Sequence, residues 1–419
     1  MKAWSSEKIS VLALVLLITG AIDSIRNLPT TALFGSSLIF FFTFSAIVFL
    51  IPVALVSAEL SSTWSEEEGG VFSWVEHAFG GVAAFFTIWL QWINTMVWYP
   101  TILSFIAGVL AYLINPELAQ NKYYLISVIL VVFWSLTFLG LSGLRASAAF
   151  ASFCAVFGMI IPMAFIILLA IIWLIKGNPI AIDLSFKSLV PHWNDSQSWV
   201  SLTAIMTSFL GMELAAVHVR NVDNPQKNFP RAMFFSVLLI LTTMIFGSLA
   251  IAFVLPQNEI NLVDGVMQAF NNFFQAYHLE FLMPLIVVML LCGSLGSMVN
   301  WIISPAKGLL MAADHDFLPH WLYRLNKHGI ASRILILQAI LVTLLCGGFL
   351  LLPSVNAIYW LFTDLSTELY MMMYVMMFLA AWRLKKNISK KIRFGCFPKF
   401  FFISEMMVDQ TLVDLGFFR

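Results

Sequence analysis

Charge is scarce in this chain. Asp, Glu, Lys and Arg make up 11% of its 419 residues, and 22 acids balance 22 bases. A net charge of zero offers a polyanion no electrostatic hold, so no nucleic-acid partner is expected. Cysteine is scarcer still. Cys154, Cys292, Cys346 and Cys396 fall in or near apolar runs without metal-ligand spacing, and they read as core thiols. His315, His320 and His328 share a loop with Asp314 and Asp316, but their spacing does not match a zinc site. No nucleotide-binding or nucleophile motif occurs, so neither enzymatic activity nor ATP coupling is expected, and no cofactor. The short alternating segments of barrel strands are also missing. The first apolar run lacks a small-residue cleavage site, so a cleavable signal peptide is not expected.

What the chain has in abundance is apolar surface. It is 61% hydrophobic with a mean hydropathy of +0.92, more than a soluble domain can hide. The expected class is therefore an all-α, multi-pass membrane protein in a lipid bilayer. A segment of about 20 apolar residues crosses a bilayer. About ten such runs are legible: 9–34, 38–57, 82–114, 123–141, 146–175, 199–217, 232–255, 281–304, 333–352 and 357–382. The third and fifth are long enough to tilt strongly. Lys and Arg concentrate in alternate loops: Lys2 and Lys8, Arg145, then Arg220, Lys227 and Arg231. The same set continues with Lys307, Arg324, Lys327 and Arg333, and ends with a basic cluster from Arg383 to Arg393. The opposite loops hold only Lys122, Lys176 and Lys187. That bias predicts a cytoplasmic N-terminus. Glu66-Glu67-Glu68-Gly69-Gly70 is expected to start a short amphipathic helix along the inner face, its acids suiting a helix N-terminus.

Two of the runs are interrupted. In the first, Thr19-Gly20-Ala21 breaks the apolar pattern, Ile22, Asp23 and Arg26 follow, and Pro29 disfavours helical geometry for Leu28. In the sixth, Ser208 leads into Gly211-Met212-Glu213, and the run exits through His218 and Arg220. These runs open two five-span halves, about 9–175 and 199–382, within a core of residues 1–386. Breaks at matched positions point to an inverted five-plus-five repeat with a binding site near the midplane. The plainer alternative is that Gly20 and Gly211 only allow close helix packing. The ionisable residues beside both breaks favour the first, because a charge at membrane depth is costly.

Four longer motifs then resemble a known family: SEEEGGVFSWVEHAFG, GMELAAVHVRNVDNPQKNFPRAM, PQNEINLVDGVMQAF, and NWIISPAKGLLMAADHDFLPHWLYRLNKHGIAS. Together they resemble the amino acid–polyamine–organocation superfamily, and within it the bacterial glutamate/γ-aminobutyrate antiporters. The resemblance covers about residues 9 to 385. It implies a leucine-transporter-like fold in a bacterial inner membrane. It also implies exchange of an acidic amino acid for its decarboxylated amine, with protons consumed in the cytoplasm. A proton-coupled permease for neutral or cationic amino acids stays open, because Arg26 and Leu28 depart from the antiporter pattern. Members of the family have twelve spans. Here the pattern is left after about Asn387, and residues 387–419 form an atypical tail, expected to be cytoplasmic, with runs too short to cross. That departure suggests a truncated gene, and an inactive remnant or binding-only sensor is the alternative of a different class.

The resemblance implies a substrate site at Thr19, Gly20, Ala21 and Ile22 and at Ser208, Gly211, Met212 and Glu213. Glu213 matches an acidic residue of the family's substrate region, suited to a substrate ammonium, a coupled proton, or only a hydrogen bond across the break. Trp301 matches a family tryptophan that could close over the substrate. Tyr370 and Tyr374 fall where the family places gating tyrosines. Asp23 and Arg26, three apart, share a helix face. They could neutralise each other, or Arg26 could grip a substrate carboxylate in bidentate fashion. Asp364 and Glu368, spaced i, i+4, line one stripe with Ser366, Thr367 and Tyr370 close by. That stripe is expected to face protein or water, with a coupling role or pairing to Arg26 or Lys307 as its alternatives. Asp23, Glu213, Asp364 and Glu368 are thus the candidates for proton or ion coupling. His218 at a span end titrates near neutral pH, but a lone interfacial histidine is usually passive. Lys307 is expected to snorkel.

Overall fold

The computed structural model describes residues 10–64, 70–142, 148–191, 196–214, 222–311 and 317–388. His218, Arg220, Glu66-Glu67-Glu68, Arg145, Asp314, His315, Asp316, Cys396 and the tail beyond Ile388 lie outside them.

The chain opens with α1 (Val11–Ile22), followed by a short second piece, α2 (Leu28–Ala32). The span α3 covers Gly35–Thr63, and the short amphipathic α4 covers Val71–Phe79. Then come α5 (Gly81–Ala111), α6 (Lys122–Leu141), α7 (Phe153–Ile175) and α8 (Ser196–Thr207). The second half continues through α9 (Pro225–Val254), α10 (Gly265–Tyr277) and α11 (Met283–Met311). It closes with α12 (Ser332–Cys346) and α13 (Val355–Ile388). Among the described residues nine helices are long and apolar enough to cross a membrane. Of the sixth expected span, 199–217, the described residues form the apolar helix Trp199–Leu214, and 215–217 lie outside them.

Three boundary expectations are corrected. α9 starts at Pro225, seven residues before the predicted 232, with Pro230 inside it. Proline fits the first turns of a helix, where few amides have partners. Leu28 is helical (φ −59°, ψ −42°) although Pro29 follows it. Leu28 is fully buried, and its side chain fills the space beside Gly247 of α9, so packing overrides the local preference. The helix α10 has no counterpart among the expected segments. Its apolar positions Val266, Met267, Phe270, Phe273 and Phe274 repeat at helical spacing and are all buried.

Two spans contain a widened π-helical turn, Ala46–Leu50 in α3 and Val156–Ile160 in α7, each followed by an Ile-Pro pair. Pro52 and Pro162 donate no amide, and a wide turn lets the ladder pass them. The crossing of α7 and α11 is set by glycine. A Cβ on Gly158 would lie 2.2 Å from the Gly293 Cα. Beside this crossing the Cys154 and Cys292 sulfurs are 3.8 Å apart as free thiols. Outward faces carry large apolar side chains, such as Phe234, Leu238 and Phe246 of α9 and Leu361, Met372 and Val375 of α13.

Loops gather at the two ends of the bundle. At one end the Lys122 Nζ donates to the Leu352 carbonyl at 2.5 Å, and the Leu262 amide to the Asn356 Oδ1 at 3.2 Å. Asp264, at the N-terminus of α10, accepts from the Tyr112 hydroxyl at 3.0 Å and from the Gln120 Nε2 at 3.4 Å. Burial pushes its carboxyl up to about 6, against those donors, which pull it down. A folded-state value above the unfolded one favours the fold at low pH, and that gain is lost as pH rises through about 4 to 6. Asp264→Asn is therefore expected to flatten the pH dependence of thermal stability. At pH 7 it should raise stability by about 3 kcal/mol at most. Parallel melting curves of the two proteins from pH 4 to 7 would sink this expectation.

Candidate functional site

The first break lies three residues later than the sequence suggests. Thr19, Gly20, Ala21 and Ile22 are still helical and form the last turn of α1. The chain becomes extended at Asp23 (ψ 120°) and Ser24 (φ −138°), then turns through Ile25–Asn27 into α2. The Asp23 amide closes on the Thr19 carbonyl at 2.8 Å. The carbonyls of Gly20, Ala21 and Ile22 lie beyond that last bond, at the negative end of the helix dipole. α9 holds both sides of the break. Thr243 donates to the Asp23 Oδ2 at 2.6 Å, and the Ser248 hydroxyl lies 2.6 Å from that of Thr31. The Asp23 Oδ1 is buried without a hydrogen-bond partner, as is the Thr19 hydroxyl.

The second break begins where α8 ends at Thr207. The Ser208, Phe209 and Leu210 amides reach back only three residues, at 3.0, 3.0 and 3.3 Å. Gly211 then adopts φ +106°, a conformation that a side chain disfavours. The freed Gly211 amide donates to the Tyr374 hydroxyl at 2.9 Å. That hydroxyl donates in turn to the Glu213 Oε2 at 2.6 Å, and the Tyr370 hydroxyl donates to Oε1 at 2.5 Å. Phe49 of α3 packs edge-on to Tyr374, ring centroids 5.3 Å apart. Met212 and Glu213 are both buried. Thus Gly211, Glu213, Tyr370 and Tyr374 form one cluster joining the break to α13.

A separate small pocket lies between the two breaks. Arg26, Asn27 and Thr30 contribute from the first, and Ala204, Thr207 and Ser208 from the second. Trp98 and Thr101 of α5 and Tyr359, Thr363 and Ser366 of α13 complete it. It is closed down to room for about one water. The Arg26 Nη1 donates to the Thr101 Oγ1 at 2.6 Å, and its guanidinium carbon lies 5.2 Å from the Trp98 ring centroid. Its Nε has no hydrogen-bond partner. Among the described residues no carboxylate pairs with Arg26, so neither Asp23 nor Asp364 neutralises it.

Trp301 is half-buried, 5.1 Å from Trp98, and its carbonyl accepts from the Tyr99 hydroxyl at 2.7 Å. It backs the pocket through Trp98 and does not line it. Asp364 is half-buried and Glu368 exposed, beside the outward-facing Leu361, Leu365 and Met372. The inward stripe of α13 is Thr363, Ser366, Thr367, Tyr370 and Tyr374, one helical step round from the expected pair. Lys307 is exposed.

Of the pocket lining the sequence reading named Arg26, Ser208 and Ser366 and missed the rest, Trp98, Thr101 and Thr363 among them. The signal was available: Asn94, Thr95, Thr101 and Ser104 are polar groups gathered on either side of Pro100 in a mainly apolar span. Ser366 donates to the Asn94 Oδ1 at 2.5 Å, and the Thr207 and Thr367 hydroxyls are 2.5 Å apart.

The amino acid permease family matches residues 9–408. An uncharacterized transporter of Legionella pneumophila is 41% identical over 389 residues, covering 93% of this chain and 83% of the relative. A glutamate/γ-aminobutyrate antiporter of Lactococcus lactis is 31% identical over 344 residues, covering 81% of this chain and 68% of the relative. Among solved structures, MhsT in complex with L-phenylalanine superposes with a TM-score of 0.51 at 14% identity, covering 90% of this chain and 99% of that one. The structural likeness shows the fold, a leucine-transporter-like helical bundle. With the match over nearly its whole length, the chain belongs to the amino acid permease family and is a multi-pass membrane transporter.

Proposed function

We propose that the chain is a secondary-active amino acid antiporter of glutamate/γ-aminobutyrate type, in a bacterial inner membrane with its N-terminus in the cytoplasm. The observation that carries this reading is the pair of helix breaks, at Asp23–Ser24 and at Ser208–Gly211, on either side of one polar pocket. The antiporter relative gives the substrate pair. Residues 1–386 are the transporting core. The amino acid meets the carbonyl end of α1 near Thr19–Ile22, just before the break at Asp23–Ser24, and the broken backbone near Ser208–Glu213, with Trp301 and Trp98 behind it. Alternating access comes from rocking of α1, α3, α8 and α9 against α5, α6, α11 and α12. Asp23 and Glu213, buried beside the breaks, suit coupling to protons better than Asp364 and Glu368.

The test is uptake of labelled glutamate by purified protein in liposomes preloaded with γ-aminobutyrate, across external pH, with Glu213→Gln alongside. Exchange that varies with pH and drops at least ten-fold in the variant is expected, the size of one charge-assisted hydrogen bond. Folded protein that exchanges neither glutamate nor neutral amino acids would reject the antiporter.

A further inference from the structure

We propose that Cys154 and Cys292 form an oxidation site, and that the disulfide between them stops transport by tying α7 to α11. The bond itself stands on the geometry of the pair. Its effect on transport rests on the rocking motion proposed above.

The two sulfurs lie 3.8 Å apart as free thiols. Glycine holds them there. A Cβ on Gly296 would lie 2.4 Å from the Cys154 sulfur, so Cys154 packs into the gap that Gly296 leaves. Cys292, four residues earlier, stands on the same face of α11. One turn along α7, Gly158 meets the Gly293 backbone, and the helices cannot come apart there without losing that contact. A disulfide is about 2.05 Å long, so side-chain rotation suffices to close the gap.

The first turn of α7 also touches a moving part. A Cβ on Gly20 would lie 3.1 Å from the Ala155 Cβ, so α7 packs on the last turn of α1, just before its break. Directly after Ala155 comes the π-helical turn Val156–Ile160, an interruption of the α-helical ladder at which the start of α7 can bend. In the proposed motion α1 and α11 belong to opposite sides, and α7 stands between them. A covalent bond from α7 to α11 removes the freedom that α7 needs to follow α1.

A hydroperoxide is the oxidant. Cys292 is half-buried and is reached first, whereas Cys154 is buried. With hydrogen peroxide, the Cys292 sulfur attacks one oxygen, the O–O bond breaks, and a sulfenic acid and water form. The Cys154 sulfur then attacks the sulfenic sulfur. The S–S bond forms, the S–O bond breaks, and the hydroxyl leaves with the Cys154 proton as a second water. Two thiols have then given two electrons to one peroxide. Away from water the first step is slow, and the second is fast because its partner is already in contact.

The test uses the full chain carrying Cys346→Ala and Cys396→Ala, in liposomes preloaded with γ-aminobutyrate, before and after hydrogen peroxide. After peroxide the denatured protein should have lost both remaining thiols to maleimide labelling, run as a monomer, and regain them with dithiothreitol. Glutamate exchange should fall about ten-fold or more, because alternation needs both arrangements to be populated, and should recover with the reductant. Methionine oxidation is not reversed by dithiothreitol and is separated in this way. Cys154→Ala or Cys292→Ala, each added alone, should keep exchange through the same treatment. Thiols that stay free in the folded protein, or a disulfide that leaves exchange unchanged, would overturn the proposal while transport itself stands. If the untreated protein exchanges no amino acid, the antiporter reading fails. The thiol count then decides the oxidation site alone, a lasting pair of free thiols rejecting it and a reversible loss of both supporting it.

Discussion

Gly293→Val is expected to leave little folded protein, and Gly158→Ala to lower stability by about 3 kcal/mol, the upper end of overpacking costs. A Cβ on Gly293 would meet the Gly158 carbonyl oxygen at 2.6 Å and its Cα at 2.8 Å. A Cβ on Gly158 would meet the Gly293 nitrogen at 2.2 Å and the Met289 carbonyl at 2.6 Å. These are backbone atoms, so no rotamer change relieves the clash; α7 and α11 must separate. Separation would also strip their contact over neighbouring turns. Gly140→Ala is the control, because its nearest neighbour is the Ile303 side chain at 3.5 Å, an ordinary contact. Melting midpoints and the monodisperse fraction in detergent check both. A Gly158→Ala protein that melts with the wild type would refute the close crossing.

Tyr374→Phe is expected to be the more damaging of the two tyrosine changes on α13. It removes the donor to the Glu213 Oε2 and, in the same atom, the acceptor of the Gly211 amide. Tyr370→Phe removes the bond to Oε1 and a side-chain interaction with Gln91, but leaves the Gly211 amide paired. Buried hydrogen bonds to charged groups are worth about 1.5–3 kcal/mol each. Tyr374→Phe should thus cost roughly 3–4 kcal/mol and Tyr370→Phe roughly 2 kcal/mol. Exchange activity should fall in the same order, because the Tyr374 hydroxyl also holds the second break in shape. Equal losses in the two variants would mean that the relay through Tyr374 has no special part.

How far the sequence reached depends on what each feature needs. The spans are legible because hydrocarbon demands an unbroken apolar run; α6 begins and ends within a residue of expectation, as does the apolar stretch Ser332–Leu351 that α12 opens. The break at Gly211 is legible because glycine permits the conformation found there. The first break is not, because Gly20 stays helical and the extended backbone falls on Asp23 and Ser24, held by α9. Which carboxylates face inward depends on helix rotation. A carboxylate stripe and a hydroxyl stripe run side by side on α13, and tertiary packing turned the hydroxyls to the centre. Arg26 was one of two alternatives on sequence. The choice required seeing Asp23 bonded to Thr243 and away from its near neighbour.

The contact of Arg26, Trp98 and Trp301 has an optical consequence. Two indoles 5.1 Å apart, one of them under a cation, have emission that depends on where that cation sits. A carboxylate brought to the guanidinium would neutralise its field or draw it off the ring, and the indole spectrum would shift with it. The chain has 14 tryptophans, so the signal is isolated by subtracting the Trp98→Phe spectrum. Occupancy of the pocket could then be followed by intrinsic fluorescence, without label or membrane potential.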